Sequence, residues 1–201
     1  MKNYMRRQLV GITLFFCLVF PVSAHAGVPL ETVKGYADKV LDVLRDPSLK
    51  AESARTLKKE RIEAILEKIF DFTELSKRTL AQHWSKFDPG QQKEFVGLYK
   101  TLLMETYTNK IMTYTDQKIV FNSEVALTEN TFEVRSTVLK NAGDIPINYR
   151  VMQKDGSWMV YDVVIEGVSL INNYRSQFRE ILANKPPESL LETLRKKVSK
   201  S

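Results

Sequence analysis

The sequence predicts an α+β protein, because helical and strand-like hydrophobic patterns occupy separate parts of the chain. From residue 29 to about residue 114, apolar side chains recur every three or four residues, which is typical of amphipathic helices. From residue 119 to residue 151 they alternate with polar side chains, which is typical of strands. Helices followed by successive strands and then by another helix indicate an α+β domain with an antiparallel meander of four strands.

The first 26 residues have the features of a cleaved signal peptide. Lys2, Arg6 and Arg7 form a basic start, and residues 9–20 form an apolar stretch that is short for a membrane span. Ala24-His25-Ala26 fits the small-x-small rule for cleavage, so we expect one mature domain over residues 27–201.

Signal cleavage would change both the charge and the cysteine content. It would remove three cations and lower the formal net charge from +6 to +3, a mildly basic value that gives no reason to expect a nucleic-acid partner. It would also remove Cys17, the only cysteine, whose large neighbours Phe15 and Phe16 do not fit a lipoprotein cleavage box. We therefore expect no disulfide and no lipid anchor, which suits a periplasmic protein.

Four helices are predicted before the strands. The first two cover residues 29–45 and 57–70, and a short third helix follows a capping box at Asp71 and Glu74. The fourth begins at Asp88-Pro89-Gly90-Gln91, where a cap is followed by a proline in the first turn, and extends to about residue 114. Its apolar stripe is wide, which indicates contact with more than one element.

Turns near residues 129–130, 142–144 and 155–156 separate the four predicted strands. The last strand differs from the others because residues 158–165 are apolar on both faces. Such a strand must be covered on both sides or must line a cavity on one of them. Strict alternation places Asp162 on one face with Val160 and Val164, so Tyr161, Val163 and Ile165 are expected to face the interior.

A final long helix is predicted over residues 169–182, and Pro186-Pro187 ends it. Residues 186–201 are expected to form a short amphipathic tail with a basic side. No internal repeat and no low-complexity linker interrupts the chain.

No catalytic or metal site is predicted. His83 is the only histidine after cleavage, so a zinc site is not expected, and a surface or helix-capping position suits it. Gly167-Val168-Ser169 resembles a nucleophile elbow, but position 171 is Ile and no histidine follows the serine. The sequence contains no glycine loop for phosphate.

Two charged groups have alternative interpretations. Asp162 lies four residues before Glu166, and it is either a general base in an apolar pocket or a structural group. As a structural group it would pair with an arginine or cap the last helix. Arg175 is either the buried partner of a carboxylate or a contact for a phosphate. Composition alone does not distinguish a packed core from a lined cavity.

Three motifs resemble the MlaC family of periplasmic phospholipid-binding proteins, also described as toluene-tolerance proteins. They are FDFTELSKRTLAQHW at residues 70–84, the pattern PxQQxEFVxLYxxLLxxTY at residues 89–107, and VYDVVIEGVSLINNYRSQF at residues 160–178. The resemblance covers nearly all of the expected mature chain, while residues 186–201 lie outside its recognisable part.

The resemblance implies a fold, a cargo and partners. The fold would be NTF2-like, with a curved sheet and helices around an apolar pocket. The protein would be a monomeric periplasmic carrier with no cofactor and phospholipid as its cargo. It would shuttle lipid between an outer-membrane lipoprotein–porin complex and an inner-membrane ABC transporter, which maintains the lipid asymmetry of the outer membrane.

We expect the lipid to contact side chains from the fourth helix and from the last three strands. These residues are Leu98, Leu102, Tyr107, Ile111, Val134, Val138, Ile147, Tyr149, Val151, Tyr161, Val163 and Ile165. Two alternatives remain open: an isomerase-like enzyme that uses Asp162 with Tyr149 or Tyr161, and a ligand-free periplasmic interaction protein.

Overall fold

A computed structural model of the chain describes residues 28–199, except residues 115, 116 and 142. The predicted signal peptide and its cleavage site lie outside the described residues. The described part forms six α-helices and one antiparallel sheet of five strands. Within it, no helix combines the length and the apolar character that crossing a bilayer requires.

The α-helices are α1 (Val28–Arg45), α2 (Arg55–Ile69), α3 (Phe72–Leu80), α4 (Pro89–Met112), α5 (Leu170–Leu182) and α6 (Pro187–Val198). Short 3-10 turns at Pro47–Leu49, Glu52–Ala54 and Ala81–Lys86 connect the first four.

Both helices start where predicted, but only the second start is a complete capping box, because the Glu74 carboxylate accepts from Arg78 and not from the Asp71 backbone. The Asp71 carboxylate accepts a hydrogen bond of 3.0 Å from the Glu74 backbone N–H, which caps α3. Asp88 and Gln91 make the two reciprocal hydrogen bonds of a capping box at the start of α4. These bonds satisfy N–H groups that have no partner inside the helix, so Asp71 and Asp88 with Gln91 determine where the two helices begin.

The strands are β1 (Lys118–Thr128), β2 (Thr131–Leu139), β3 (Ile145–Lys154), β4 (Ser157–Ile165) and β5 (Val168–Ser169), in that spatial order. Each strand pairs with the next one antiparallel, which confirms the meander. The expected count of four strands is too low. Gly167, at a φ of 82°, allows a tight turn after which β5 folds back onto β4.

A β-bulge in β4 changes which of its side chains face the helices. Val163 pairs with Tyr149 and Asp162 with Arg150, but the next pair is Val160 with Val151, so Tyr161 is the extra residue. Val160 and Val163 therefore lie on the same side of the sheet. Strict alternation was the wrong assumption here, and Tyr161 does not share the interior face with Val163.

Helices cover both sides of the sheet and form two apolar clusters. The larger cluster joins α3, α4, α5 and α6 and includes Tyr161. At its centre, the rings of Phe95, Tyr99, Tyr174 and Phe178 contact one another with centroids 5.2–5.7 Å apart. The smaller cluster lies between α1, the end of α2 and the sheet, and it includes Val134, Val151 and Trp158.

Residues 187–198 belong to the core. Leu190, Leu191 and Leu194 of α6 are at most 1% exposed and pack against α4 and α5. Arg195 on the outer side of α6 forms a two-pronged ion pair with Glu94 of α4, with nitrogen–oxygen distances of 2.6 and 2.9 Å. The segment expected to be a short amphipathic tail with a basic side is a helix whose leucine stripe is buried and whose basic residues are exposed.

Candidate functional site

A cavity of about 350 Å³ lies between α1, α2, the C-terminal half of α4 and one face of the sheet. This volume falls within the range of ~300–1,000 Å³ found for small-molecule and cofactor sites. The wall consists almost entirely of aliphatic and aromatic side chains. It comprises Val33, Tyr36, Ala37, Val40, Leu41, Leu44, Ile65, Leu66, Ile69, Phe70, Phe72, Leu75, Leu103, Met104, Tyr107, Lys110, Ile111, Tyr114, Gln117, Ile119, Val138, Ile145, Ile147, Tyr149, Val160, Val163, Ile165, Glu166 and Leu170.

The helical walls follow from the spacing of the apolar residues. On α1, Val33, Ala37, Val40 and Leu44 recur at intervals of three or four residues, so they form one stripe along the cavity. On α4, the same spacing brings Tyr107 and neighbouring apolar residues to the wall. The other side of α4 carries Phe95 and Tyr99 into the larger cluster, which explains its wide apolar stripe.

The sheet wall follows from the alternation along β3. Ile145, Ile147 and Tyr149 point to the cavity at every second position. Burial raises the pKa of Tyr149 to about 12, although a hydrogen bond with Ser136 lowers it in part. Burial likewise raises the pKa of Tyr107 to about 12. Both phenols are therefore neutral at physiological pH, and the wall carries no charge at these positions.

The cavity meets the solvent where its wall carries exposed charged side chains. Among the described residues of the wall, the exposed ones are Lys110, in the last turn of α4, and Glu166, just after β4. The backbone N–H of Glu166 donates to the carbonyl of Pro146, next to the wall residues Ile145 and Ile147. Tyr114 and Gln117 continue the rim after α4. The cavity thus has an apolar interior and a polar, charged mouth.

The structure brings seven of the twelve predicted contact residues to this wall. They are Tyr107, Ile111, Val138, Ile147, Tyr149, Val163 and Ile165.

Five of the predicted contact residues lie elsewhere. Leu98 and Leu102 face the cluster of α3, α5 and α6, because they lie on the opposite side of α4. Val134 and Val151 are fully buried in the smaller cluster, beneath neighbours that include Trp158. The bulge turns Tyr161 to the larger cluster, where the guanidinium of Arg78 lies 4.2 Å from the centre of its ring.

Sequence reasoning missed the contribution of α1 and α2 to the wall. The apolar stripe of α1 and the residues Ile65, Leu66 and Ile69 of α2 were recognisable from their helical spacing. The spacing shows that a helix has an inward face, but it does not show which part of the sheet that face covers.

Asp162 has a structural role in the described fold. Its carboxylate, which is 1% exposed, accepts hydrogen bonds from the Ser169 hydroxyl at 2.7 Å, from the Ile171 backbone N–H at 3.1 Å and from the Arg150 guanidinium at 3.2 Å. These contacts tie β4 to β3 and to the start of α5. Its oxygens therefore face protein donors and not the cavity, which leaves the general-base interpretation without support.

Arg175 also contacts protein groups, in this case backbone. Its guanidinium donates two hydrogen bonds, of 2.6 and 3.2 Å, to the carbonyl of Arg78 near the end of α3. With His83, it lines a second, smaller cavity of about 220 Å³. Burial, together with Lys86 and Arg179, lowers the pKa of His83 below its usual value.

In the described part of the chain, no cluster of three or more His, Cys, Asp or Glu side chains could hold a metal ion.

Comparisons with known proteins all give one family. The family model described as MlaC protein matches residues 34–196 and so includes most of α6. The toluene tolerance protein ttg2D of Pseudomonas putida is 25% identical over 184 residues, which is 90% of this chain and 84% of that protein. The intermembrane phospholipid transport system binding protein MlaC of Haemophilus influenzae is 26% identical over 127 residues, covering 61% of this chain and 59% of that protein.

A solved structure has a similar fold. It is the phospholipid-binding protein of Ralstonia solanacearum in complex with a phospholipid, with a TM-score of 0.75 and 26% sequence identity. The match covers 86% of this chain and 97% of that chain.

Proposed function

The chain belongs to the MlaC family, and on this premise we propose that it binds phospholipid by enclosing the acyl chains in the cavity. The names of its relatives support this cargo, since one binds phospholipid in its solved structure and another belongs to a phospholipid transport system. Seven of the predicted contact residues, including Tyr107, Tyr149 and Val163, would touch the acyl chains directly.

The observation that carries the proposal is the apolar wall between α1, α2, α4 and the sheet. Exposing one acyl chain of about 16 carbons to water costs over 10 kcal/mol, at about 0.8 kcal/mol per methylene. A protein that moves phospholipid through water must therefore enclose the chains. A cavity that is apolar inside and charged only at its mouth separates the chains from the headgroup in this way.

We propose further that the protein is a periplasmic carrier and not an enzyme. It would exchange lipid with an inner-membrane ABC transporter and an outer-membrane lipoprotein–porin complex. This exchange would help to maintain the lipid asymmetry of the outer membrane. The curved sheet would follow an NTF2-like plan. Because a lipid in a bilayer is already out of water, its transfer to the cavity is nearly neutral in free energy, so the partners would determine the direction of transport.

Organic extraction of the purified protein followed by mass spectrometry tests the proposal. We expect the wild type to contain about one phospholipid molecule per protein molecule. The matched variants are Val163→Asp, which places a carboxylate in the cavity wall, and Val168→Asp, which places one on a side chain that is 57% exposed. The first should lose its lipid and the second should keep it. Protein that refolds and crystallises without any lipid, and takes none from vesicles, would contradict the proposal.

A further inference from the structure

The cavity ends, opposite its mouth, at the junction between α2 and α3. The guanidinium of Arg45, at the end of α1, donates to the carbonyl of Gln117 on the rim at 3.3 Å. The ammonium of Lys58, near the start of α2, donates to the carbonyl of Leu44 at 3.2 Å. The end of α1 and the start of α2 therefore lie at the mouth. Since α2 packs along α1 and leads away from the mouth, its last turn and Phe70 lie at the other end of the cavity.

The wall is buried at this inner end. Four of its residues there are at most 4% exposed, namely Val33, Ile69, Leu75 and Val160. The rings of Phe70 and Phe72 stack beside them with centroids 5.7 Å apart, and both rings pack against the larger apolar cluster. We call these two rings the floor. Because close-packed side chains lie behind the floor, a guest that reaches it has no further space to enter.

Three contacts fix the floor to the sheet. Phe70 forms a parallel bridge with Val160 of β4, and the backbone N–H of Asp71 donates to the carbonyl of Val160 at 2.9 Å. The Asp71 carboxylate accepts a hydrogen bond of 2.6 Å from the ammonium of Lys154 at the end of β3. The floor therefore cannot move away from a guest without breaking these contacts.

The distance from the floor to the mouth follows from the wall residues at the two ends. Val33 and Leu44 both line the cavity and lie eleven residues apart on α1, which is about 16 Å at 1.5 Å per residue. Val160 and Ile165 lie five residues apart on β4, which is also about 16 Å at 3.3 Å per residue, before the bulge shortens it slightly. An extended carbon chain advances about 1.2 Å per bond, as an extended peptide backbone does, so this depth holds about 14 carbons.

We infer that the floor formed by Phe70 and Phe72 limits the length of the acyl chains that the cavity encloses to about 14 carbons. The inference rests on the proposed function and deepens it, because it assigns a preference among phospholipids that differ only in chain length. A methylene beyond the limit leaves the bilayer but stays in water at the mouth, which lowers equilibrium uptake about fourfold. Longer lipids still bind when no shorter lipid competes with them.

The test is competitive uptake from vesicles. Dilauroyl, dimyristoyl, dipalmitoyl and distearoyl phosphatidylglycerol share one headgroup and differ in steps of two carbons per chain. They are mixed in equal amounts as minor components of fluid dioleoylphosphatidylcholine vesicles. Delipidated protein is brought to equilibrium with the vesicles and separated, and the bound lipids are quantified by mass spectrometry relative to their amounts in the vesicles.

Two variants move the floor in opposite directions. Phe70→Ala removes one of its rings, and Val33→Phe adds a ring at the same end of the cavity. The matched control is Phe132→Ala, which removes the same side chain from a partly buried position of the smaller cluster that does not line the cavity. Phe70→Leu is a milder variant that keeps an apolar side chain at the floor, for the case that Phe70→Ala does not fold.

The wild type should take up the dilauroyl and dimyristoyl lipids equally, and the dipalmitoyl lipid at least about tenfold less, because two methylenes per chain exceed the limit. Phe70→Ala should raise the dipalmitoyl lipid towards the dimyristoyl level, since loss of the ring adds the depth of roughly three bonds. Phe70→Leu should give a smaller shift in the same direction. Val33→Phe should lower the dimyristoyl lipid about tenfold relative to the dilauroyl lipid. Phe132→Ala should keep the wild-type profile.

Uptake of the four lipids by the wild type in proportion to their amounts in the vesicles would overturn the inference and leave the proposed function standing. A limit that stays at the same chain length in the Phe70 variants and in Val33→Phe would also overturn it. The same would follow if Phe132→Ala shifted the profile as Phe70→Ala does, because the profile would then report stability and not depth. If the wild type takes up none of the four lipids, the proposed function itself fails.

Discussion

Filling the cavity with a protein side chain is the sharpest test of whether it is hollow. Ala37 of α1 lines the cavity, and Ala37→Trp would place a large aromatic ring inside it. A cavity costs stability at about 24 cal/mol per Å³, so filling roughly a third of the 350 Å³ would recover at most about 3 kcal/mol. The lower helix propensity of Trp and imperfect packing reduce this gain, and we expect about 1 kcal/mol.

The assay has two readouts on the same protein. Thermal unfolding of the delipidated Ala37→Trp variant should show a midpoint about 2–4 °C above that of the wild type, the shift that about 1 kcal/mol produces in a domain of this size. Lipid extraction should show several-fold less phospholipid than in the wild type. Ala64→Trp is the matched control, since Ala64 is an exposed residue of the neighbouring helix α2 and its substitution should change neither value.

A packed core gives the opposite result. Inserting a large side chain where no space exists forces its neighbours to move and costs about 1–3 kcal/mol. Destabilisation of Ala37→Trp in that range, with the lipid content unchanged, would refute the conclusion that α1 and the sheet enclose space for a guest.

Three further predictions concern the wall and two buried carboxylates. Val163→Asp should abolish lipid co-purification while the circular dichroism spectrum stays that of the wild type, and lipid content equal to that of Val168→Asp would exclude Val163 from the site. Asp162→Ala should lower the free energy of unfolding in urea by about 3 kcal/mol, because it leaves the buried Ser169 hydroxyl and the Ile171 backbone N–H without their acceptor and removes one of the two carboxylates that contact Arg150. A loss below about 1 kcal/mol would contradict this role. Burial alone would raise the pKa of Asp71, but hydrogen bonds from Lys154 and from backbone N–H groups lower it below its ordinary 3.8. The stability that this carboxylate contributes is present above that pH and is lost as the pH falls through the lower folded-state pKa. Wild-type stability should therefore decrease more between about pH 5 and pH 2 than that of Asp71→Asn, and equal slopes in urea unfolding at each pH would rule the effect out.

The order of helices and strands was predictable because its signals are local. The capping residues Asp71 and Asp88 lie within three residues of the groups that they satisfy, and Asp155-Gly156 forms the expected tight turn with both residues at positive φ. Periodicity over a few turns was enough to place α1, α4 and α5 within a few residues of their ends.

The candidate site was only partly predictable because its geometry depends on distant segments. The bulge in β4 is a property of the pairing with β3, and nothing in residues 158–165 alone shows that Tyr161 is the extra residue. In the same way, the two faces of α4 are equally apolar, so the sequence did not show that Leu98 and Leu102 face α3, α5 and α6 while Tyr107 and Ile111 face the cavity.

The amino-acid sequence by itself determined the class of fold, the ends of most elements and, through three motifs, the family. Only the tertiary structure decided that α1 and α2 stand far enough from the sheet to leave space. The physical reason is that an inward-facing apolar side chain has the same pattern in the sequence whether its neighbour is protein or a guest. The distance between backbones separates the two cases, and that distance depends on contacts between segments far apart in the chain.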